Sequence, residues 1–448
     1  MARTKKKAAL TPEERLQAAL VPDWEWPYKL PENWCWTTVG AINQYEGISA
    51  DPTKAKNETF ELYSVPSSAD NYPEIVLGAD IGSAKQSVKK GDVLLCKINP
   101  RINRVWKVSK YTDHSLLASS EWIVIRNSRL ISNYLMWCFR SPYFRGYMLS
   151  NVSGVGGSLM RAQPKFVQGY PIPVPPLAEQ QRIVYRIENL FAKLDEAKEK
   201  AQAVVDSFET RKAAILHKAF AGELTKKWRK SANTRWVYKK IKDCCKLGSG
   251  GTPSRKVPDF YKGDIPWIKT GEIEWNDIYD TEEKITQSAI DNSSARCYKP
   301  GVVLVAMYGM GVTRGKASIL RVQAATNQAV CVLEPQSALL YNRYLLYYFM
   351  RNYWDIREKA VGGNQLNLSL TIIKELNIEI PPIDEQMEIV QILDDLFAKE
   401  QKAKESAEAV LDQIDLMKKS ILARAFRGEL GTNDPSEESA VELLKRVL

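Results

Sequence analysis

Two stretches of the chain carry apolar residues at spacings that alternate between three and four positions. In the first stretch these residues are Ile183, Ile187, Leu190, Leu194, Ala197, Ala201, Val204 and Phe208. In the second they are Ile389, Leu393, Leu396, Ala403, Ala407, Val410 and Ile414, with Glu400 interrupting the pattern. A sustained seven-residue apolar repeat predicts a long helix whose apolar seam packs against another helix, as in a coiled coil.

The two stretches are copies of one sequence. PPLAEQQRIV begins at Pro175 and PPIDEQMEIV begins at Pro381, and the alignment runs without gaps to AFAGELT at Ala219 and AFRGELG at Ala425. About half of the aligned positions from the Pro-Pro pairs onward are identical. The chain therefore contains an internal duplication.

Turn-forming residues predict where the two helices begin and end. Each Pro-Pro pair stops an upstream strand, and Gly222 and Gly428 fit the end of a helix. Because the shortest return path for the second helix lies along the first, we expect an antiparallel pair. Roughly 38 residues at about 1.5 Å each would make a rod of about 55 Å. The alternative is a pair of amphipathic helices packed on separate domains.

The regions outside the two copies share little sequence, yet they share a pattern. Each has a Trp-containing strand, then a strand opened by Gly, then an aromatic-rich helix. These features begin at Trp34, Gly91 and residue 131 in the first region and at Trp236, Gly301 and residue 338 in the second. We therefore predict an α+β protein in which a long antiparallel coiled-coil pair separates two α/β domains, with approximate two-fold symmetry.

The same patterns predict the domain boundaries. An N-terminal extension, with LTPEE at Leu10 as a capped helix start, is expected to pack beside a C-terminal helix. The predicted ranges are 1–30 for the extension, 31–174 and 226–380 for the two α/β domains, 175–225 and 381–431 for the helix regions, and 432–448 for the C-terminal helix.

Loops rich in basic and amide side chains follow the Gly-opened strands. Arg and Lys contact phosphates or guanine edges, whereas Asn and Gln suit adenine. A single basic loop is usually solvated surface, but two at equivalent places in duplicated domains favour DNA reading. The candidate DNA-binding residues are Lys97, Asn99, Arg101, Asn103, Arg104, Lys107, Thr252, Ser254, Arg255, Lys256, Tyr308, Thr313, Arg314 and Lys316, with Arg161, Gln163, Asn327, Gln328, Asn364 and Gln365 as weaker candidates.

The charge balance agrees with an anionic partner. The 63 Lys and Arg residues exceed the 53 Asp and Glu residues, which gives a net charge of +10 and favours nucleic acid or a membrane surface. No apolar stretch is long enough to span a membrane, and MARTKKKAAL lacks the apolar segment of a secretory signal, so a cytoplasmic protein is expected. The 7 cysteines include no C-x-x-C pair and are expected to be reduced thiols. A redox-active Cys244–Cys245 pair is the alternative.

Motifs for catalysis are missing from the sequence. The Pro-Pro pairs are not part of the D/N-P-P-Y/F motif of an adenine methyltransferase, and the Gly-rich run before Ala317 lacks the spacing and hydroxyl of a phosphate loop. A nuclease site would require Asp259, Glu282 and Glu283 to converge on a metal, yet TEEKITQS is polar and turn-like. The sequence has only two histidines, His114 and His217, so few imidazoles are available for a histidine-based catalytic or zinc site. We expect no catalytic or metal site in this chain.

Several motifs resemble the specificity subunits of type I restriction-modification enzymes. These motifs are PVPPLAEQQRIV at Pro173, GELTKKWR at Gly222, GTPS at Gly251 and DPSEESAVELLKR at Asp434, together with the second copy of the helix. The resemblance extends over nearly the whole chain. Because the recognition domains of this family vary freely, it assigns no base-contacting residue.

The resemblance implies a function and a set of partners. Each domain would read one half of a bipartite double-stranded DNA target, and the rod, longer than one DNA turn of about 34 Å, would set the spacer. Two modification subunits would bring S-adenosylmethionine for adenine methylation, and restriction/translocase subunits would bring ATP and Mg for cleavage. This chain would bind no cofactor itself. The modification subunits would dock on the rod and partly cover Glu179, Gln180, Lys193 and Lys198.

Two other functions remain open from the sequence. A coiled-coil scaffold with two protein-binding heads would show no salt-sensitive binding to duplex DNA, whereas a DNA reader would. An enzyme of unfamiliar type would modify or cut DNA without partners.

Overall fold

In the computed structural model, each Pro-Pro pair separates a strand from a long helix. The structure describes residues 11–154, 160–232, 235–309, 311–362 and 367–448. The chain divides into two compact units: unit 1 contains residues 1–201 and 409–448, and unit 2 contains residues 202–408.

Unit 1 combines a three-stranded sheet, a five-stranded sheet and several helices. Its α-helices are Pro12–Ala19, Val39–Ile42, Ser132–Arg140, Pro142–Ser150, Pro164–Val167, Leu177–Asp206, which runs on into unit 2, and Ala440–Val447. Its strands are Cys35–Thr38, Ser49–Ala50, Thr59–Tyr63, Glu74–Leu77, Lys85–Ser87, Val93–Cys96, Val105–Lys107, Ser115–Ala118, Trp122–Ile125, Val152–Ser153, Arg161–Ala162 and Pro171–Val174.

Unit 2 combines a five-stranded sheet and a four-stranded sheet with its own helices. Its α-helices are Phe208–Phe220, Lys226–Ala232, Ile241–Cys244, Gln287–Asp291, Asn342–Arg351, Tyr353–Glu358, Leu370–Lys374 and Ile383–Ala425, which runs on into unit 1. Its strands are Val237–Lys240, Cys245–Ser249, Ile265–Ile268, Asp277–Ile278, Lys284–Ile285, Cys297–Tyr298, Val303–Ala306, Ala317–Leu320, Ala324–Thr326, Val330–Pro335 and Asn377–Ile380.

The strand that precedes each Pro-Pro pair is paired in the same way in both units. Pro171–Val174 lies antiparallel to Cys35–Thr38, the Trp-containing strand predicted from the sequence. Asn377–Ile380 lies antiparallel to Val237–Lys240 in the equivalent register. Each α/β module therefore closes on itself immediately before its long helix begins, and the predicted α+β fold class is confirmed.

Glycine ends both long helical segments. Gly222 and Gly428 have φ values of 70° and 76°, the left-handed conformation that a residue without Cβ adopts readily. The N–H groups of Glu223 and Glu429 donate to the carbonyls of Lys218 and Arg424, in each case at 2.9 Å. The first helical segment also breaks at Ser207, between Leu177–Asp206 and Phe208–Phe220.

In unit 1 the two helical segments lie side by side and antiparallel. The ammonium of Lys198 is 3.7 Å from Asp415. Three residues earlier in the first helix, Asp195 pairs with Lys418, which lies three residues later in the second. The second ion pair thus lies closer to the N-terminus in the first helix and closer to the C-terminus in the second, so the two helices are antiparallel.

The helical segments of unit 2 are also antiparallel, and an ion pair fills the gap in their apolar repeat. Glu400, which interrupts the repeat, accepts a hydrogen bond of 2.7 Å from Nε of Arg211. Lys404 lies over the Phe208 ring at 4.8 Å, and Lys212 lies over the Phe397 ring at 5.5 Å. The cationic residue opposite Glu400 explains why a charge is accommodated at a seam position.

Burial along the helices follows the apolar repeat with one departure. Ile183, Ile187, Phe208, Ile389, Leu393 and Ile414 are buried, and Leu190, Leu194, Val204 and Leu396 are half-buried. Val410, predicted to lie in the seam, is 40% exposed, whereas its neighbour Leu411 is half-buried. An α-helix of 3.6 residues per turn drifts relative to a seven-residue repeat, so a seam position can rotate towards solvent.

A buried glutamate in the first turn of each long helix holds the exit of the other helix. In unit 1, Glu179 accepts a hydrogen bond of 2.6 Å from the hydroxyl of Thr432 and pairs with Arg182 at 2.8 Å. In unit 2, Glu385 accepts 2.7 Å and 2.9 Å hydrogen bonds from Thr225 and Arg229. Burial raises the pKa of Glu179, although Thr432 and Arg182 act in the opposite direction.

The glutamine that follows each glutamate holds the α/β module. Gln180 donates to the carbonyl of Pro175 and accepts from the N–H of Ile131, in both cases at 3.0 Å. Gln386 does the same with Pro381 and Tyr341, in both cases at 2.8 Å. Each Glu-Gln pair thus connects a long helix to two other parts of its unit.

These contacts correct one expectation. Glu179 and Gln180, expected to form part of a polar docking face, are fully buried within unit 1. Their side chains are already satisfied by this chain and are not offered to a partner. Lys193 and Lys198 are exposed.

The aromatic-rich segments each form two helices instead of one. Pro142 begins the second helix of the first segment after Ser141, and Asn352 separates the helices of the second segment. Tyr134 donates to the carbonyl of Pro173, and Tyr344 donates to the carbonyl of Glu379, in both cases at 2.8 Å. These buried hydroxyls join the first helix of each pair to the strand before the Pro-Pro turn.

The N-terminal helix of unit 1 packs against the C-terminal helix, as predicted. Thr11 caps Pro12–Ala19 and exchanges hydrogen bonds with Glu14, which is a capping box. Leu16 and Leu444 belong to one apolar core, and the N–H of Ala440 donates 2.9 Å to the carbonyl of Asn33.

Two further features of the chain concern its apolar and thiol groups. Among the described residues, no helix is long and apolar enough to cross a membrane. Six of the cysteines are buried and Cys297 is half-buried. Burial raises the pKa of the Cys35 thiol to about 12.

A pair of alanine substitutions tests which residues form the seam. Ile389 is fully buried and Val410 is 40% exposed. Ile389→Ala should lower the free energy of unfolding by about 2–5 kcal/mol because it leaves a cavity. Val410→Ala should change it by no more than about 0.5 kcal/mol. Urea unfolding followed by circular dichroism measures both, and equal losses would contradict the packing described here.

Candidate nucleic-acid interface

An equivalent loop leaves the central strand of each α/β module. In unit 1, Val93–Cys96 lies between Val105–Lys107 and Trp122–Ile125, and residues 97–104 form loop 1. In unit 2, Val303–Ala306 lies between Ala317–Leu320 and Val330–Pro335, and the described residues 307–309 and 311–316 form loop 2. The sequence prediction that these loops occupy the same place is confirmed.

The glycine before each central strand explains why the strands align. Gly91 and Gly301 have φ values of 96° and 100°. Their N–H groups donate to Val108 and Leu320 at 2.9 Å and 2.8 Å. Both strands therefore begin from the same left-handed turn, and the loops at their far ends correspond.

Asparagines shape loop 1. Asn99 and Asn103 have φ values of 48° and 50°, and they flank the short 3₁₀ turn Pro100–Ile102. Asn tolerates left-handed backbone better than most residues. The Asn103 amide also donates 3.2 Å to the carbonyl of Arg140, so one predicted DNA-binding side chain helps to hold the loop.

The structure brings a second predicted segment beside loop 1. The N–H of Asn99 donates to Met160 and the N–H of Ala162 donates to Lys97, in both cases at 2.8 Å. This ladder places Arg161 and Gln163 next to the loop. Arg101 and Arg161 are exposed, and the other candidates in these two segments are half-buried.

Lys107 lies apart from the other unit 1 candidates. It pairs with Val93, at the opposite end of the central strand from loop 1. Its ammonium donates 2.6 Å to Asn133, whose amide donates 3.1 Å to Glu188 on the long helix. The position of Lys107 fits a contact between the sheet and the long helix.

In loop 2 the described residues with positive φ are glycines, whereas in loop 1 they are asparagines. Gly309, Gly311 and Gly315 have φ values of 144°, 61° and 91°. The N–H of Leu368 donates 3.0 Å to the carbonyl of Met307, just as Ala162 does to Lys97 in unit 1. Asn364 and Gln365 lie outside the described residues.

Residues of loop 2 differ in exposure. Tyr308 is 40% exposed, and Thr313, Arg314 and Lys316 are half-buried. Burial and the nearby Arg357 guanidinium lower the pKa of Arg314. Lys316 pairs with Glu274.

The Gly-Thr-Pro-Ser segment joins loop 2 through residues 326–329. The N–H of Gly251 donates 2.9 Å to Thr326, and the hydroxyl of Thr252 donates to the side chain of Gln328. The N–H of Met307 donates 2.9 Å to Ala329. Thr252, Ser254, Arg255, Lys256 and Gln328 are exposed along this segment.

Arg255 is supported by aromatic rings that the sequence reasoning did not connect to it. Its guanidinium lies 4.0 Å from the centroid of Tyr261 and 5.3 Å from that of Trp267. It also donates 2.7 Å to Glu283. The spacing of YKGDIPW after GTPSRK is the sequence signal that could have indicated a stacked arginine.

Several candidate cations already have carboxylate partners. Arg161 pairs with Glu121 at 3.3 Å, in the same manner as Arg255 with Glu283. Within the described ranges, Lys97, Arg101, Arg104 and Lys256 make no ion pair. A polyanion would meet these four charges without having to displace a carboxylate.

Two exposed apolar residues also accompany the unit 1 candidates. Ile102, in loop 1, is 54% exposed, and Phe166, three residues after Gln163, is 40% exposed. The ammonium of Lys165 lies 4.8 Å from the Phe166 ring. Polar character alone, the property that marks the other candidates in these loops, does not reveal these two apolar residues.

The carboxylates considered for a nuclease site have basic partners. Asp259 pairs with Lys262 at 2.8 Å, and this lysine lowers the pKa of Asp259. Glu283 pairs with Lys269 and Arg255, and both contacts lower its pKa. Glu282 lies 3.9 Å from Lys269. These contacts hold each carboxylate in a lysine or arginine pair.

Comparison with known proteins shows what the chain is similar to. Residues 233–409 match the family model described as the type I restriction modification DNA specificity domain. This part of the chain is therefore similar to such a domain.

The relatives that the chain matches are named specificity subunits. The chain is 26% identical over 350 residues to the type I restriction enzyme EcoKI specificity subunit of Escherichia coli strain K12, covering 72% of this chain and 73% of that protein. It is 30% identical over 183 residues to the MjaIX specificity subunit of Methanocaldococcus jannaschii, covering 39% of this chain and 41% of that protein. The chain is thus a relative of the specificity subunits of type I restriction enzymes.

A solved structure has the same fold. The HsdS subunit from Thermoanaerobacter tengcongensis matches with a TM-score of 0.66 and 21% identity, over 91% of this chain and 100% of that chain.

A glycine substitution tests the close approach between the Gly-Thr-Pro-Ser segment and residues 326–329. A Cβ at Gly250 would lie 1.8 Å from the carbonyl oxygen of Thr326, whereas one at Gly271 would meet nothing within 4 Å. Gly250→Ala should therefore lower the free energy of unfolding by about 1–3 kcal/mol or more, because the backbone at Thr326 must move to make room for the Cβ. Gly271→Ala is the matched control. Thermal melting measures both, and an unchanged melting temperature for Gly250→Ala would contradict this packing.

Proposed function

We propose that this chain is the DNA-recognition subunit of a type I restriction-modification complex and that each unit reads one half of a bipartite double-stranded target. One observation carries the proposal. Loops 1 and 2 leave the equivalent strands of two equivalent modules, yet their side chains differ. Duplicated modules with different loops suit two unlike half-sites.

The chemistry of the loops suits the major groove. Arg101, Arg104 and Lys97 would contact phosphates or guanine edges, and the amide of Gln163 would suit adenine. In unit 2, Lys256 and Arg314 would supply charge, while Thr252 would supply a small hydroxyl. Glycines in loop 2 would allow its backbone to approach the DNA closely.

The catalytic groups would come from partner subunits in the cytoplasm. Modification subunits would carry S-adenosylmethionine and methylate adenine, and restriction/translocase subunits would use ATP and Mg to cleave. This chain would bind none of these cofactors. The antiparallel helix segments described in each unit would hold the two reading modules at a set spacing.

Mapping of methylated adenines tests this proposal. Host DNA should carry methyl groups at one bipartite sequence when this gene and its modification partner are expressed together. Deleting this gene alone should remove that methylation. Methylation that persists without this chain, or that follows one continuous sequence, would contradict the proposal.

The salt dependence of binding tests the role of an exposed arginine. Arg101→Ala should weaken binding of the complex to duplex DNA and lower the slope of log affinity against log salt by about one, because one phosphate contact is lost. Lys445→Ala is the control. Its helix accepts a hydrogen bond from Gln44 at the carbonyl of Val447, and the N–H of Gln44 donates to Arg126, beside the strand end opposite loop 1. Fluorescence anisotropy measures the slopes, and equal slopes for both variants would exclude Arg101 from the interface.

A further inference from the structure

An arginine outside loop 1 donates a hydrogen bond to the backbone of that loop. Arg145 lies on Pro142–Ser150, the short helix that follows the aromatic helix of unit 1. Its Nη2 donates 2.5 Å to the carbonyl of Arg101. The donor is half-buried, whereas the side chain of Arg101 is exposed. Arg145 therefore contacts the frame of the loop, and Arg101 is left to face solvent.

An arginine at the equivalent place in unit 2 holds loop 2. Arg357 lies on Tyr353–Glu358, the short helix that follows the aromatic helix there. Its Nη1 donates 2.5 Å to the carbonyl of Arg314, and its Nη2 donates 2.6 Å to the carbonyl of Gly311. In both units the acceptor is the carbonyl of a loop arginine that is a candidate for DNA contact.

Aromatic residues keep Arg357 in place. Tyr353 donates its hydroxyl to the carbonyl of Val312 and accepts 3.2 Å from Nη1 of Arg357. The Trp275 ring packs edge-on against Tyr353 with centroids 5.4 Å apart. Trp275 has a φ of 64°, a rare conformation for a bulky residue, and its N–H donates 3.0 Å to Ala317 at the end of loop 2.

The glycine at the end of loop 2 lies against the same cluster. A Cβ on Gly315 would lie 3.2 Å from Cγ of Arg357 and 3.5 Å from Cδ2 of Tyr353. The φ of Gly315 is 91°, which also disfavours a side chain. The backbone of loop 2 at Gly315 therefore packs directly against the side chains of Arg357 and Tyr353.

The planar guanidinium explains why arginine occupies this position. Two N–H groups in a rigid fork can bridge carbonyls that are several residues apart, which the single ammonium of lysine cannot do with the same geometry. A loop held in its bound conformation loses less conformational freedom on binding. It also discriminates better, since a mobile loop can adapt to a wrong base.

We propose that Arg145 and Arg357 are positioning residues that set the sequence preference of their own units by holding loops 1 and 2. This inference rests on the proposed function of the chain. Neither arginine needs to contact DNA, because each guanidinium already donates to a carbonyl of its own loop. Each arginine acts on one half-site and leaves the other half-site unaffected.

Methyl transfer by the full complex tests the proposal. The complex is assembled with its modification subunits, and transfer from labelled S-adenosylmethionine is measured on duplexes with the intact target or with one altered base in either half. Arg357→Lys should reduce discrimination by about ten-fold in one half-site only, as expected for the loss of a charged hydrogen bond. Arg145→Lys should do the same in the other half-site only.

Two further variants separate positioning from stability. Tyr353→Phe removes the hydroxyl that contacts Val312 and Arg357. It should therefore reduce discrimination in the same half-site as Arg357→Lys, but to a smaller extent. Lys359→Gln, an exposed change one residue beyond that helix, should leave both half-sites as in the wild type. Circular dichroism of each complex reports folding.

The outcomes distinguish the possibilities. A variant that lowers methyl transfer on all duplexes without changing base preference would show a structural role only and overturn the inference. So would unchanged discrimination in both half-sites. If the wild-type complex methylated no bipartite sequence, the proposed function would fail, and this inference with it.

Discussion

The buried Glu-Gln pair at the start of each long helix is the interaction on which each unit depends. Its glutamate is fully buried and is satisfied by side chains at the exit of the other long helix. Its glutamine accepts from the start of the aromatic helix and donates to the Pro-Pro turn. Because a buried carboxylate without partners is costly, the two helices and the module must assemble together.

Because of this constraint, the residues that support each module are different from the loop residues that are candidates for DNA contact. The supporting residues recur in both units: the Glu-Gln pair, the tyrosine of the aromatic helix that donates to the strand before the Pro-Pro turn, and the glycine before the central strand. The loops at the far end of the central strand differ, with asparagines at the left-handed positions of loop 1 and glycines in loop 2. Duplicated support with unlike loops is the arrangement that reading two different sequences requires.

The sequence predicted features that depend on local pattern. The duplication, the Pro-Pro and glycine boundaries, the capped N-terminal helix and the equivalent loops all follow from residues close together in the chain. Features that depend on tertiary contacts were not predictable in this way. The exposure of Val410 results from helical drift, and the burial of Glu179 results from its contact with Thr432, which is remote in sequence.

The candidate site shows the same limit. Residue type and loop position indicated Arg101 and Lys256 without knowledge of the fold. Lys107 has the same character, yet the strand register turns it towards Asn133. The roles of Arg145 and Arg357 could not be read from the sequence at all, because only the packing of the short helices brings them to the loops.

Site-directed cleavage of the bound target tests whether loops 1 and 2 contact different half-sites. Ile102 and Val312 are 54% and 58% exposed, one in each loop. A DNA-cleaving reagent is attached to Ile102→Cys or Val312→Cys in a Cys297→Ser background, since the other cysteines are buried. We expect cuts in one half-site from loop 1 and in the other half-site from loop 2. Cuts in the same half-site from both positions, or no cuts in the target from either, would contradict this expectation.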